Sequence, residues 1–232
     1  MASCNDDIGE LPPAVSNATG EAQSVPKRIF RAPRNRMSLV VGHAASTLVF
    51  DGTTKVGIDR RAILGTFERR LAEKWTLQFA AGAIVTGTLR LGRERYQFGP
   101  GWSAGISTSY RALDGRGAKP FILVGGTLAF AGASTQGDLP NAPEIGYLAG
   151  DLRLSVVVGK TFFQALSPYA VLRGFGGPIW WQIKGRDVLG TDNYKFQIGA
   201  GLAVAMPLGF DAFIEGVPLG EKALSTGLGY SF

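Results

Sequence analysis

Between Tyr194 and Met206 the chain alternates without a break. Tyr194, Phe196, Ile198, Ala200, Leu202, Val204 and Met206 share one parity, and Lys195, Gln197, Gly199, Gly201, Ala203 and Ala205 share the other. Successive side chains of a strand point to opposite faces, so this period of two predicts a β-strand with one apolar and one small or polar face. Similar alternation runs through Trp75 to Arg90, Tyr96 to Arg111 and Leu148 to Val158. No apolar run reaches the roughly 18 residues that a transmembrane helix requires. The longest candidate, Phe121 to Ala133, is interrupted by Gly125, Gly126 and Thr127. Yet only 18% of residues are charged and the mean hydropathy is +0.11, whereas about 25% of residues are charged in an ordinary soluble domain. A chain this apolar, lacking helical spans, has to satisfy its backbone polar groups between strands, and in lipid only a closed barrel does so. The 33 glycines among 232 residues suit turns and a crowded inner wall.

The last segment, Leu224-Ser225-Thr226-Gly227-Leu228-Gly229-Tyr230-Ser231-Phe232, alternates in the same way and ends on an aromatic. It resembles the closing strand of a bacterial outer-membrane β-barrel. The resemblance covers residues 37–232 at the level of architecture and identifies no specific family. It implies a bacterial outer-membrane location and a terminal signal, Tyr230 and Phe232, read by the barrel-assembly machinery. The expected fold is all-β: a closed, antiparallel, up-and-down transmembrane β-barrel of about ten strands behind a disordered N-terminal extension. A soluble barrel of lipocalin type is the alternative, with the same apolar face turned inward. Its exterior would carry more Lys, Glu and Asp than these small-residue faces offer.

Turns and breakers divide residues 37–232 into ten segments, near 37–49, 61–71, 75–90, 96–111, 119–131, 148–158, 168–182, 194–206, 209–216 and 222–232, an even number as single-chain bacterial barrels have. Connections at 72–74, 114–118, 161–167 and 207–208 are short. Those near 50–60, 132–146 and 183–193 are longer, with shorter companions at 91–95 and 217–221. Because short turns are periplasmic in this class, both termini are expected in the periplasm. Trp75, Tyr110, Tyr169, Tyr230 and Phe232 would form an inner aromatic girdle, and Tyr96, Trp180, Trp181 and Tyr194 an outer one. Gly176-Gly177-Pro178 predicts a bulge near the outer rim.

Residues 1–36 lack alternation and end in Lys27, Arg28, Arg31, Arg34 and Arg36, which predicts a disordered periplasmic extension. Met1-Ala2-Ser3 shows neither a charged region nor an apolar core of a secretory signal, so an export signal is expected to lie upstream of a truncated or misplaced start. Ala2-Ser3-Cys4 resembles the end of a lipobox, which implies acylation of Cys4 as one reading. A plain thiol in the extension is the other, and with one cysteine no intramolecular disulfide forms.

On the assigned parity the inward face carries charges that suggest a lumenal network. Asp151 and Arg153 share a face, as do Glu68 and Arg70, and Asp211 and Glu215, while Arg90, Arg111 and Lys195 also point inward. In the narrow space of ten strands these groups are expected to form cross-lumen ion pairs that close the pore. The alternative is a selectivity lining for small solutes. The expected role is therefore structural or anchoring, with a small-solute pore second and an envelope enzyme third. Ten-stranded omptin proteases and lipid A deacylases share the architecture, but the lone histidine, His43, has Ser46 on the opposite parity of its strand. One cysteine and one histidine offer no zinc site, and no cofactor is expected. The net charge of +6 comes without a recognition motif for nucleic acid. Expected partners are outer-membrane lipids, lipopolysaccharide phosphates at Arg60, Arg61, Arg93, Arg95 and Arg186, the assembly machinery and other envelope proteins.

Overall fold

The computed structural model describes residues 34–115, 118–138, 143–183 and 185–232. Twelve strands follow one another: β1 (Asn35–Phe50), β2 (Thr54–Arg70), β3 (Trp75–Leu91), β4 (Glu94–Asp114), β5 (Phe121–Gly137), β6 (Glu144–Gly159), β7 (Leu166–Gly176), β8 (Ile179–Ile183), β9 (Arg186–Asp192), β10 (Phe196–Ala205), β11 (Phe210–Gly220) and β12 (Lys222–Ser231). They form one antiparallel up-and-down sheet that closes where β12 pairs with β1, from Arg36↔Ser231 to Ala45↔Lys222. The end that carries both termini is called terminal below, and the opposite end distal.

One of the ten predicted segments, 168–182, appears as two strands, β7 and β8, and a further strand, β9, occupies the predicted loop 183–193. β7 and β8 run along β6 in a single register, from Gly159↔Tyr169 through Leu152↔Gly176 to Tyr147↔Trp181. The predicted bulge at Gly176-Gly177-Pro178 is instead an interruption without a register change. Pro178 has no N–H to donate, but its carbonyl still accepts from Gly150 N–H at 3.1 Å, so pairing resumes in phase. β9 folds back on β8, and at its end pairs with β1 through Leu48↔Asp192 and Phe50↔Gly190. The terminal part of the barrel is therefore a ring of ten, made by β1–β7 and β10–β12. The distal part is a ring of eight, made by β1–β6, β8 and β9. The β11–β12 hairpin stops at Glu221, below the β9–β1 contact.

The exterior follows the predicted parity over most of the wall. Leu39, Val41, Ile63, Phe79, Trp102, Ile106, Leu128, Phe130, Leu152, Leu154, Leu172, Phe196, Ile198, Ile214, Leu224 and Leu228 are exposed. So wide an apolar belt belongs in lipid, not water. Its terminal edge carries Trp75 against Tyr110 (ring centroids 5.0 Å), Phe210 against Tyr230 (5.0 Å) and Tyr230 stacked on Phe232 (6.0 Å). Tyr96, Tyr169 and Trp181, expected in the girdles, face the lumen instead, and the last two are buried.

Three expectations are corrected. The first strand begins at Asn35, and Arg36, read as the end of the basic tail, is buried in the barrel. Residues 54–60, 132–137, 144–146 and 186–192, read as outer loops, are strand. As a result Asp51–Thr53, Gly92–Arg93 and the β8–β9 turn are no longer than the terminal-end turns, and loop length does not set the orientation. Finally, the pairing of the described strands is irregular at four places, two of which move predicted residues to the other face. One lies between Arg61/Ala62 on β2, opposite Ile84 and Thr86, and the other between Phe98 and Gly101 on β4. An extra residue exchanges the two faces beyond it: Phe98 turns into the lumen, and Arg90 is exposed. The disorder of the extension, Lys27, Arg28, Arg31 and the acylation of Cys4 fall outside the described residues.

Candidate functional site: a lumen filled by ion pairs and aromatics

Every second residue of each strand faces the lumen, and the registers stack these residues in tiers. At the terminal end, Arg36 donates from Nε to Asp211 Oδ2 at 2.8 Å, makes a second contact with the same carboxylate, and lies 3.7 Å from Glu68 Oε2. β1 meets β12 here, and a Cβ on Gly229 would collide with the Arg36 guanidinium, so a glycine on β12 makes room for the arginine on β1. Above this pair, Ser38 and Thr66 hydroxyls share a hydrogen bond of 2.6 Å. An apolar cluster follows, of Val40, Leu64, Phe121, Leu123, Val157, Tyr169, Val171, Ala203 and Phe213. The Tyr169 ring lies flat against β10 because Gly201 beneath it has no Cβ.

The middle tiers hold the deepest charges. Arg173 Nη2 donates to Glu215 Oε1 at 2.7 Å. Arg153 sits among Asp151 (3.5 Å), Glu221 (3.7 Å) and the Gln197 side-chain carbonyl (3.1 Å), with its guanidinium carbon 4.7 Å from the centre of the Phe175 ring. Gln197 donates to Glu221 Oε2 at 3.1 Å, and Arg60 approaches Glu221 Oε1 at 3.9 Å. Arg153, Arg173 and Glu221 expose 1% or less of their surface. Charges this deep persist only when paired, because ionic groups taken from water lose several kcal/mol of hydration each.

The distal tier, inside the ring of eight, is apolar. Leu48, Phe50, Val56, Ile58, Ile84, Leu89, Phe98, Tyr147, Ile179 and Trp181 form one cluster. Phe98 meets Tyr147 edge-on (5.2 Å), Tyr96 meets Trp181 edge-on (5.1 Å), and Phe50 packs on Trp181 (5.7 Å). The Trp181 indole N–H, which an apolar tier would strand, donates to Thr135 Oγ1 at 2.9 Å. A cavity of about 30 Å³ lies toward the terminal end, lined by Glu68, Gln78, Ser107, Ser109, Gly125 and Ser155 among others, about the room one water needs.

Of the residues singled out from the sequence, Glu68, Asp151, Arg153, Asp211 and Glu215 are buried in these tiers. Arg70 and Arg111 are half-buried. Asp211 and Glu215, grouped by parity, serve different arginines. Two residues leave the set: Arg90 is exposed beyond the β2–β3 irregularity, and Lys195 is exposed between β9 and β10 with its amine on Thr191 Oγ1. Arg36, Arg60, Arg173, Gln197 and Glu221 were missed, and Arg60 is lumenal rather than at the outer rim. Arg60 and Arg173 have the parity of Glu68 and Val171 on their own strands, a signal the sequence did contain. Glu221 sits in a turn, where parity is silent. His43 lies on the outer face with Nε2 3.0 Å from Asp59 Oδ2. Among the described residues no cluster of three His, Cys, Asp or Glu could hold a metal.

No family model and no curated protein matches the chain. Among solved structures it is similar to the translocator domain of the autotransporter NalP from Neisseria meningitidis, at 13% identity over 88% of this chain and 90% of that one, with a TM-score of 0.51. It also matches the transport unit of the autotransporter AIDA-I from Escherichia coli (14% identity, 90% and 93% covered, TM-score 0.47) and OprG from Pseudomonas aeruginosa (9%, 87% and 97%, 0.44). Closure, strand direction and an apolar exterior agree with that likeness: the chain has the fold of the small outer-membrane β-barrels.

Proposed function

We propose that this chain is an integral β-barrel of a bacterial outer membrane with a closed lumen, acting as an anchor or interaction platform in the envelope rather than as a conduit. The observation that carries this reading is the succession of an ion-paired tier around Arg153, Glu221 and Arg60 and an apolar tier around Phe98, Tyr147 and Trp181. An ion moving through the second would have to shed its water against hydrocarbon, without replacement ligands. Single-channel recording in planar bilayers tests it: the purified barrel gives no steady current, and a steady unitary conductance overturns the proposal. A small-solute pore is the second reading, favoured by the strip of Ser107, Ser109, Gly125 and Ser155 along the terminal cavity.

In this reading both termini face the periplasm and the distal end faces outward. Tyr230 and Phe232, stacked on the lipid side at the terminal edge, serve as the assembly signal. Deleting Phe232 then lowers the yield of inserted barrel in cells and leaves refolding into detergent intact. In a Cys4→Ser background, a membrane-impermeant maleimide on whole cells labels Thr53→Cys, in the distal β1–β2 turn, and spares Lys74→Cys. The reverse labelling inverts the orientation.

A further inference from the structure

Along β3 and β4, Arg90 and Arg95 are direct register partners, so both guanidiniums leave the same face of adjacent strands, and both are exposed. Like charges directly opposite each other destabilise an antiparallel pair. The other neighbours do not relieve this one. On β2, Arg90 faces Gly57, which has no side chain, and the next outward residue toward the distal end is Lys55, also exposed. The two-residue turn that joins the strands, Gly92–Arg93, adds a third exposed arginine. The nearby carboxylates have other partners: Glu94 accepts from the Tyr96 hydroxyl at 3.0 Å, and Asp138 from Gln97 at 3.4 Å. No ion pair joins Arg90, Arg93 or Arg95 to an acid among the described residues.

The height of this cluster selects its ligand. On the outer face of β3 and β4, the most distal large apolar side chains are Val85 and Trp102. With a rise of about 3.3 Å per residue and a tilt of 35–45°, Arg90 stands roughly 12 Å beyond that apolar edge. The polar layer of an ordinary bilayer is only about 5–7 Å deep on each side. A phospholipid phosphate lies too low, whereas phosphate groups on the sugars of a tall glycolipid reach this level. Several phosphates on one headgroup also match several guanidiniums, each able to take two oxygens. We propose that Arg90 and Arg95, flanked by Arg93 and Lys55, form a binding site for the phosphorylated oligosaccharide of a membrane glycolipid.

This inference rests on the outer-membrane reading but not on whether the lumen conducts, so planar-bilayer currents and the experiment below fail independently. The full chain, folded in detergent, is titrated with rough lipopolysaccharide carrying inner-core phosphates, with the same material dephosphorylated by hydrofluoric acid, and with phosphatidylglycerol. The first binds at least tenfold more tightly than the other two. The double variant Arg90→Gln/Arg95→Gln loses that preference, and it melts higher than the parent when no ligand is present, because its cross-strand repulsion is gone. Arg186→Gln, an exposed charge on β9 across the rim, keeps the preference. Equal binding of phosphatidylglycerol, unchanged binding by the double variant, or an equal loss in Arg186→Gln overturns the site.

Discussion

The two ends of this barrel solve the same problem by opposite means. In the distal ring of eight, side chains from opposing walls meet, and Phe50, Phe98, Tyr147, Ile179 and Trp181 fill the space by contact alone. In the ring of ten below, apolar side chains cover part of the lumen, and the rest is bridged by long arginines reaching acids on other strands: Arg36 to Asp211, Arg173 to Glu215, Arg153 to Glu221. Two added strands widen the section beyond what a leucine or phenylalanine can span from the wall. A guanidinium on a three-carbon stem spans it, provided its charge is matched. Strand number therefore decides which chemistry can close a barrel.

Substitutions can break that contrast. Arg153→Ala has the largest expected effect, because it leaves Asp151 and Glu221 buried without their shared cation, a loss of about 3–5 kcal/mol when one partner of a buried pair is removed. Loss of heat-modifiable mobility on gels checks it, and an unchanged melting point would show the tier to be well hydrated. Trp181→Ala removes a large side chain from the distal cluster and is expected to cost a comparable or smaller amount, about 3–5 kcal/mol at most. Neither variant alone should conduct, since the other closure stays in place, whereas the double variant should pass small cations drawn by the freed Asp151. Current through Trp181→Ala alone would mean that only the apolar tier seals. Leu202→Arg, on the lipid face of β10, should cost roughly 2–4 kcal/mol at mid-membrane. Ala203→Ser, one residue on and facing the lumen, should cost less, about 1 kcal/mol, because its hydroxyl enters the apolar cluster. Equal shifts for this last pair would invert the wall.

Parity made much of this legible in the sequence. It assigned the lipid face of β6 and β10 and placed Glu68, Asp151, Arg153, Asp211 and Glu215 inside without any knowledge of partners. It failed where the count of residues slips. One extra residue, Val85 beside Ile84, carries Arg90 outward and has no plain marker in the sequence, while another, between Phe98 and Gly101, carries that ring inward where Gly99-Pro100-Gly101 does mark the break. Partners were hidden as well, since Asp211 finds Arg36 only because β12 closes on β1 and β11 lies next to β12. Such pairings across the closure are properties of the ring, not of any strand. Glu221 was invisible for a different reason: turns have no period, and its burial comes from the β9–β1 contact overhead.

That overhead contact has a consequence for how the barrel opens and shuts. β1 is held along Arg36–Ala45 by β12 and at Leu48–Phe50 by β9, with Asn193 N–H donating to Thr47 O at 2.9 Å between them. The seam between first and last strands thus behaves as a zipper with a stop at one end. Its hydrogen bonds can part in sequence from the termini, but the distal end cannot start to part until the whole β8–β9 hairpin has let go. The order of assembly is constrained in the same way. Once β9 has gripped β1, the register of the seam is set in advance, and the C-terminal hairpin has one slot left to fill.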